Sequence, residues 1–376
     1  MGTQGSAERS APSVDPSSTP SSARGALSRL ARPSRLPALS RIDFADLANR
    51  YGLLFALGLL IAVFSAILPT TFFTAINFQT ILGSQAVLVV LTLGLLIPLT
   101  AGEFDLSIAG VLTLSTVLVG YLNVDYGWPI GLAVVTALCA GVFVALVNVF
   151  FVLVIGIESI VVTLGTGTLL VGASLGINNI TIGGISQNLV NAARDELFGI
   201  QLVFYYGLAL VVLIWYMFEY TPLGRYLYFV GAGREVARLS GIRVDAIRAG
   251  SLVASGFMGA LAGVLLAGVL GASDPNVGGS YLLPAFAGAF LGATAIVPGR
   301  FNAWGSFVAV YFLVTGITGL ELLGLSGWIE QVFYGGSLVL AVALARLAAK
   351  RRRAVDEESA ATDVHGPDQS IGGIGG

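Results

Sequence analysis

Ten apolar stretches, separated by short polar interruptions, govern what this chain can become. They run approximately 51–68, 80–100, 106–121, 128–155, 159–177, 203–220, 249–271, 281–297, 304–320 and 326–346. Several approach the roughly 20 residues that an α-helix needs to cross a bilayer. The third and the eighth are short, and Gly or Pro interrupts many of the others. Bare backbone is costly in hydrocarbon, so such spans are expected to face other helices or a polar path rather than lipid. Of the 376 residues, 56% are hydrophobic and 11% charged, with a mean hydropathy of +0.87. An ordinary soluble domain carries about 25% charged residues. No globular core of this length can hide so much apolar surface, so the expected fold is all-α, a polytopic membrane protein of about ten transmembrane helices.

The basic residues orient that bundle. Arg9, Arg24, Arg29, Arg32, Arg35, Arg41 and Arg50 precede the first span. Arg225, Arg234, Arg238, Arg243 and Arg248 lie between the sixth and seventh, and Arg346, Lys350, Arg351, Arg352 and Arg353 close the tenth. These are 17 of the 19 basic residues, and the positive-inside rule assigns all three groups to the cytoplasm. Six spans separate the first two groups and four the last two, both even, as a common side requires. Arg300 also falls inside and only Arg194 falls outside. Both termini are therefore expected in the cytoplasm.

Residues 1–42, rich in Ser, Pro, Ala and Arg, read as a disordered basic tail, and 350–376 as a disordered polar one. The domain between them, 43–349, holds the spans. An apolar run beginning near Tyr51 is too late for a signal peptide, so an uncleaved first span is expected.

Three scarce residues exclude whole chemistries. The single His, His365, lies in the polar tail, which removes imidazole metal sites and histidine proton relays. The single Cys, Cys139, allows no intrachain disulfide. The single Lys, Lys350, is followed by Arg351 rather than Ser or Thr, so the chain has no phosphate-binding P-loop. No catalytic and no metal site is expected, and no nucleic-acid partner. Any energy source is another chain or an ion gradient.

The loop near 222–248 carries Gly231-Ala-Gly-Arg-Glu-Val-Ala-Arg-Leu-Ser-Gly241-Ile242. Glu235, Ala237, Arg238 and Leu239 have helical spacing and Gly241 is a helix stop. The segment reads either as a short amphipathic helix, Arg outward and Val236 and Leu239 on another face, or as a solvated basic loop. The polar segment 178–202 outside is either a plain connection or a docking surface. Glu103 and Asp105 fall at the cytoplasmic turn between the second and third spans. There Asp105 or Ser107 can cap the next helix. A pathway role or a proton site is the alternative for the two acids. Asn148, Thr163 and Thr166 are polar candidates for a translocation path, against the commoner role of bonding neighbouring helices.

The loop resembles the coupling loop of ribose-type ABC sugar permeases. Gly102-Glu-Phe-Asp-Leu-Ser107 is similar to that family's Gly-Gly-Ile-Asp-Leu-Ser signature, and Thr163-Leu-Gly-Thr-Gly167 to its Thr-Leu-Gly-Thr stretch. Ala285–Gly305, with Gly292, Pro298-Gly-Arg300 and Trp304-Gly305, resembles its eighth-to-ninth span region. Two departures stand out: Glu103 replaces a Gly, and Pro298-Gly-Arg-Phe-Asn302 replaces a more Gly-rich turn. The resemblance implies a permease of the bacterial inner membrane without an ATPase site of its own. A separate ABC ATPase subunit would bind ATP and Mg, and a periplasmic or lipid-anchored binding protein would deliver a ribose- or pentose-like sugar. A second permease copy would complete the pore in the lipid. Arg234, Glu235, Arg238, Leu239 and Gly241 would form the lever of the ATPase-coupling loop. Branched-chain amino acids, nucleosides or an autoinducer-type sugar are the neighbouring substrate classes. An ion-coupled secondary transporter using Glu103 and Asp105 is the reading from another class.

Overall fold

In the computed structural model the described residues are 44–325 and 327–343. The expected tails (1–42 and 350–376), the arginines before Arg50, the basic cluster from Arg346 onward and His365 lie outside them. The elements in order are α1 (Phe44–Ile67), α2 (Ala75–Ser84), α3 (Ala86–Thr100), α4 (Ile108–Gly120), α5 (Ile130–Val149) and α6 (Ser159–Ile177). There follow β1 (Ile182–Gly183), α7 (Gln187–Arg194), β2 (Glu196–Leu197), β3 (Ile200–Gln201), α8 (Leu202–Tyr220), α9 (Pro222–Ala232) and α10 (Arg234–Leu239). The last are α11 (Val244–Leu270), β4 (Ala272–Ser273), α12 (Gly279–Gly292), α13 (Ala303–Leu322) and α14 (Trp328–Ala343). Wider π-type turns extend α4 to Asp125 and α5 to Ile155.

Every one of the ten apolar stretches carries a helix. Among the described residues, eight spans, some made of two helical pieces, are long and apolar enough to cross a membrane, whereas α12 and α14 are shorter. The second stretch starts earlier than expected: α2 and α3 form one bent span over Ala75–Thr100, broken at Gln85. The eighth stops early, at Gly292. At 1.5 Å per residue the 14 residues of α12 give about 21 Å, short of the roughly 30 Å of a hydrocarbon core.

Loop contacts sort the spans into alternating directions. At the arginine-bearing end the Arg50 Nε donates to the Ile296 carbonyl at 2.8 Å, and the Tyr228 hydroxyl to that of Phe301 at 2.5 Å. At the opposite end β1 pairs antiparallel with β4 (Ile182 opposite Ser273), and the Asn123 side chain accepts from the Ser186 amide at 2.8 Å. There, too, the Arg194 Nε donates to the Val269 carbonyl at 2.7 Å. The loops 101–107, 156–158, 221–243 and 293–302 thus share one end, and 121–129, 178–201 and 271–278 the other.

Helix α3 (Ala-Val-Leu-Val-Val-Leu-Thr-Leu-Gly-Leu-Leu-Ile-Pro-Leu-Thr) has no polar face, and all of its residues are buried. A helix apolar all round belongs in the middle of a bundle, and α3 packs there against α8, α11, α12 and α13. Its two threonines are satisfied within the helix: Thr92 and Thr100 donate to the carbonyls of Leu88 and Leu96. By contrast α1 leaves Phe55, Leu59 and Ile67 exposed, and α5 leaves Phe143 and Leu146. In a chain of this composition such surfaces face lipid or another subunit.

With lipid as apolar as leucine, helices associate through close van der Waals packing at small residues. Where α5 crosses α11, a Cβ on Gly141 would lie 2.8 Å from the Gly256 carbonyl oxygen, and one on Gly256 2.7 Å from that of Gly141. Overpacking of this kind costs about 1–3 kcal/mol. Gly141→Val is therefore expected to lower the melting temperature of the detergent-solubilised protein by several degrees. Gly131→Val, on the same helix with open space around it, serves as the control. Equal melting of the two variants would contradict this packing.

Candidate functional site

The lever segment folds as a helix of a single turn and a half. Thr221 caps α9 by accepting from the Gly224 amide, with Pro222 at the first helical position. Gly241, at φ +80°, ends α10. Its amide bonds the Arg238 carbonyl at 3.0 Å and that of Ile242 the Ala237 carbonyl at 3.1 Å, the double closure of a Schellman stop. Ala237 is fully buried against Val230 and Val244, with Ile242 beside them. The other face is free: Val236 is 60% and Leu239 89% exposed. Beside it, between α9 and the start of α11, opens a cleft of about 690 Å³ lined by Arg225, Tyr226, Phe229, Ile242, Arg243 and Ile247.

Arg234, 46% exposed, keeps part of its side chain in solvent and also reaches back to the bundle, its Nη2 donating to the Gly102 carbonyl at 2.9 Å and to the Glu103 carboxylate at 2.7 Å. The physical reason is Glu103 itself, 1% exposed, whose charge needs a partner. Arg248, in the second turn of α11, donates its Nε to the same oxygen. Asp245 then bridges Arg248 at 3.7 Å and Arg238 at 3.5 Å, the latter pair largely in solvent and of small energetic weight.

Residues 101–107 run as a loop between α3 and α4 with Glu103, Asp105 and Ser107 buried, and two glycines make room for it. Gly102 takes φ +76°, and a methyl on Gly231 of α9 would fall on the Thr100 carbonyl oxygen. On the other flank α6 holds the loop backbone. The Phe104 amide donates to the Ser159 hydroxyl at 3.2 Å, and the Leu106 amide to that of Thr163 at 3.0 Å. Asp105 accepts from the Ser107 amide at 2.9 Å and from its hydroxyl at 2.6 Å. The Asn148 side chain donates to the Ser107 oxygen at 2.9 Å and accepts from the Thr166 hydroxyl at 2.7 Å. Glu103 and Asp105 thus lie in one loop whose backbone Thr163 bonds, while Asn148, held by Thr166, bonds its Ser107. Ser107, read from the sequence only as a helix-cap candidate, belongs to this cluster together with Ser159 and Arg248. Ser107 and Arg248 were visible as a member of the Gly102–Ser107 motif and a cytoplasmic arginine; for Ser159 only its place opening a span gave a signal.

The second departure in the sequence has a local explanation. Asn302 caps α13 through the Gly305 amide at 2.7 Å, and its Nδ2 reaches the Gly292 and Ala295 carbonyls at 3.2 and 3.0 Å. Arg300 stacks on the Tyr228 ring at 3.8 Å, and burial pushes that phenol up to about 12, with the cation opposing. At the opposite end of the molecule, the tip of the β2–β3 hairpin presents Phe198, 89% exposed.

Burial raises the Asp105 carboxyl above its ordinary 3.8, against the lowering effect of the Ser107 hydrogen bonds. A folded-state value above the unfolded one gives stability that is complete below about pH 4 and declines as pH rises through the folded value. Melting curves of the purified protein against pH should therefore fall less steeply in Asp105→Asn than in the unsubstituted chain. A steeper fall in the variant would contradict this.

The family described as "Branched-chain amino acid transport system / permease component" matches residues 77–342. The D-allose transport system permease protein of Escherichia coli (strain K12) is 28% identical over 309 residues, 82% of this chain and 95% of that protein. The ribose import permease protein of Bacillus subtilis (strain 168) is 28% identical over 309 residues, 81% of this chain and 95% of its own length. The fructose import permease protein of Rhizobium meliloti is 31% identical over 307 residues, covering 77% and 83% of the two chains. No solved structure matches. The chain belongs to this family of ABC-transporter permease components as a ribose-type member, a multi-pass membrane subunit of a kind whose ATPase sits in a separate subunit.

Proposed function

We propose that the chain forms the sugar-conducting pore of an ATP-driven importer in the bacterial inner membrane, with both termini and α10 in the cytoplasm. The observation that carries this reading is α10 itself: a helix closed by a Schellman turn on the arginine-bearing end, with Val236 and Leu239 bare and its opposite face packed into the bundle. Such a helix can seat its apolar face in a groove of the ATPase, which binds ATP and Mg. Only a two-state element biased by the nucleotide can pass that movement on. Arg238 and Glu235 flank the bare face as its polar rim, Gly241 fixes where it ends, and the cleft lined by Arg225 and Arg243 extends it. The exposed apolar faces of α5 and α6 provide area for a second copy of the permease and for lipid. The 178–202 segment, with Phe198 at its tip, faces the side from which a binding protein would deliver substrate.

A monosaccharide, ribose- or pentose-like or a related hexose, is the substrate class that the allose, ribose and fructose relatives support. An autoinducer-type sugar is favoured as the second reading by the autoinducer 2 import system permease protein of Photorhabdus luminescens, 27% identical over 260 residues, 67% of this chain and 78% of that protein. Uptake of radiolabelled sugars by cells carrying the complete transporter tests both readings. Removal of the ATPase Walker lysine should abolish uptake, and Leu239→Asp should reduce it at least tenfold while membrane insertion stays normal. Uptake that survives loss of the ATPase and collapses with the proton gradient would overturn the proposal in favour of ion coupling.

A further inference from the structure

Glu103 stands where the ribose-type signature has Gly, so nothing in that signature gives it a part. It is 1% exposed, in a loop that α6 grips from one side and α9 crowds from the other. Its carboxylate receives guanidiniums from two different elements, Arg234 at the first residue of α10 and Arg248 in α11. These two arginines bracket the coupling helix in sequence, one at its start and one just beyond the turn that follows it. A carboxylate this deep is sustained by its counter-charges, and losing a partner leaves an uncompensated buried charge. The Glu103 charge therefore draws both arginines onto the loop.

From Glu103 the backbone leads directly into the bonded chain of Asp105, Ser107, Asn148 and Thr166, which reaches α5 and α6. We infer that Glu103 is a positioning residue of the coupling apparatus. It clamps the start of α10 and the foot of α11 onto the 101–107 loop, so that displacement of α10 is delivered to α4, α5 and α6 rather than absorbed in a flexible joint. This rests on the reading of α10 as the ATPase contact. It assigns Glu103 neither to the translocation path nor to proton transfer, since its one bonded oxygen faces the two arginines on the lever side.

The test is the number of ATP molecules hydrolysed per sugar imported by the complete transporter in proteoliposomes. It compares the unsubstituted chain, Glu103→Gln, Arg234→Gln and the double variant. Each single substitution should raise the ratio at least fivefold, and the double variant should match the worse single one, because both remove the same clamp. A fold defect that merely lowers the amount of active protein scales both rates and leaves the ratio unmoved. A normal ratio in Glu103→Gln, or effects that multiply in the double variant, overturns the inference. Should Glu103→Gln fail to insert, Arg234→Gln decides alone, since Arg234 is 46% exposed and leaves Glu103 paired with Arg248. Import by the unsubstituted chain that needs no ATP would instead sink the importer reading, whereas ATP-dependent import with an unchanged ratio in the variants sinks only this one.

Discussion

A buried carboxylate held by two guanidiniums is the constraint on which the functional end of this protein turns. Glu103 cannot be left alone at 1% exposure, and satisfying it fixes three segments at once: the 101–107 loop, the start of α10 and the second turn of α11. The rest of that end adapts to the junction. Gly231 lets α9 touch the end of α3, Gly102 takes a left-handed turn, and α6 offers Ser159 and Thr163 to the loop backbone. Loss of any one would leave buried backbone amides or charge without partners, which is costlier than the bonds are individually worth.

The bundle behind the junction follows a different logic. Lipid supplies no hydrophobic drive between helices, so α3 sits centrally because it has no polar face, and α5 meets α11 where Gly141 and Gly256 permit it. Two uses of the buried polar groups stand out. Thr92 and Thr100 bond back to their own helix, whereas Ser107, Asn148 and Thr166 bond across helices. Only the second use can register a change in how α4, α5 and α6 are arranged.

The ten helical stretches and the end that each loop occupies were legible in the sequence, because apolar run length and arginine placement are one-dimensional properties. The stop at Gly241 was legible for the same reason. The break at Gln85 was not, because no Pro or Gly occupies that position. The bond from Arg234 to Glu103 was hidden as well. A helical spacing argument sees an arginine among exposed neighbours, while its partner Glu103 lies 131 residues away. Glu103 was noticed as a departure from a motif and as an acid at the turn between the second and third spans, but its meaning came only with the fold that brings Arg248 beside it. Asn148, Thr163 and Thr166 were singled out for polarity in apolar surroundings; that they serve one loop depends on the crossing of α4, α5 and α6.

The central claim, that α10 and the bundle move as one body through Glu103, is tested most directly by an intramolecular distance. With Cys139 replaced by Ser, the chain offers no other thiol, and spin labels at Ser240→Cys and Ile157→Cys would report on the lever and on the foot of α6. In the complete transporter the account predicts one narrow distance distribution, the same with and without ATP, that broadens when Glu103→Gln is added. A nucleotide-dependent shift between these two sites in the chain that retains Glu103 would contradict it.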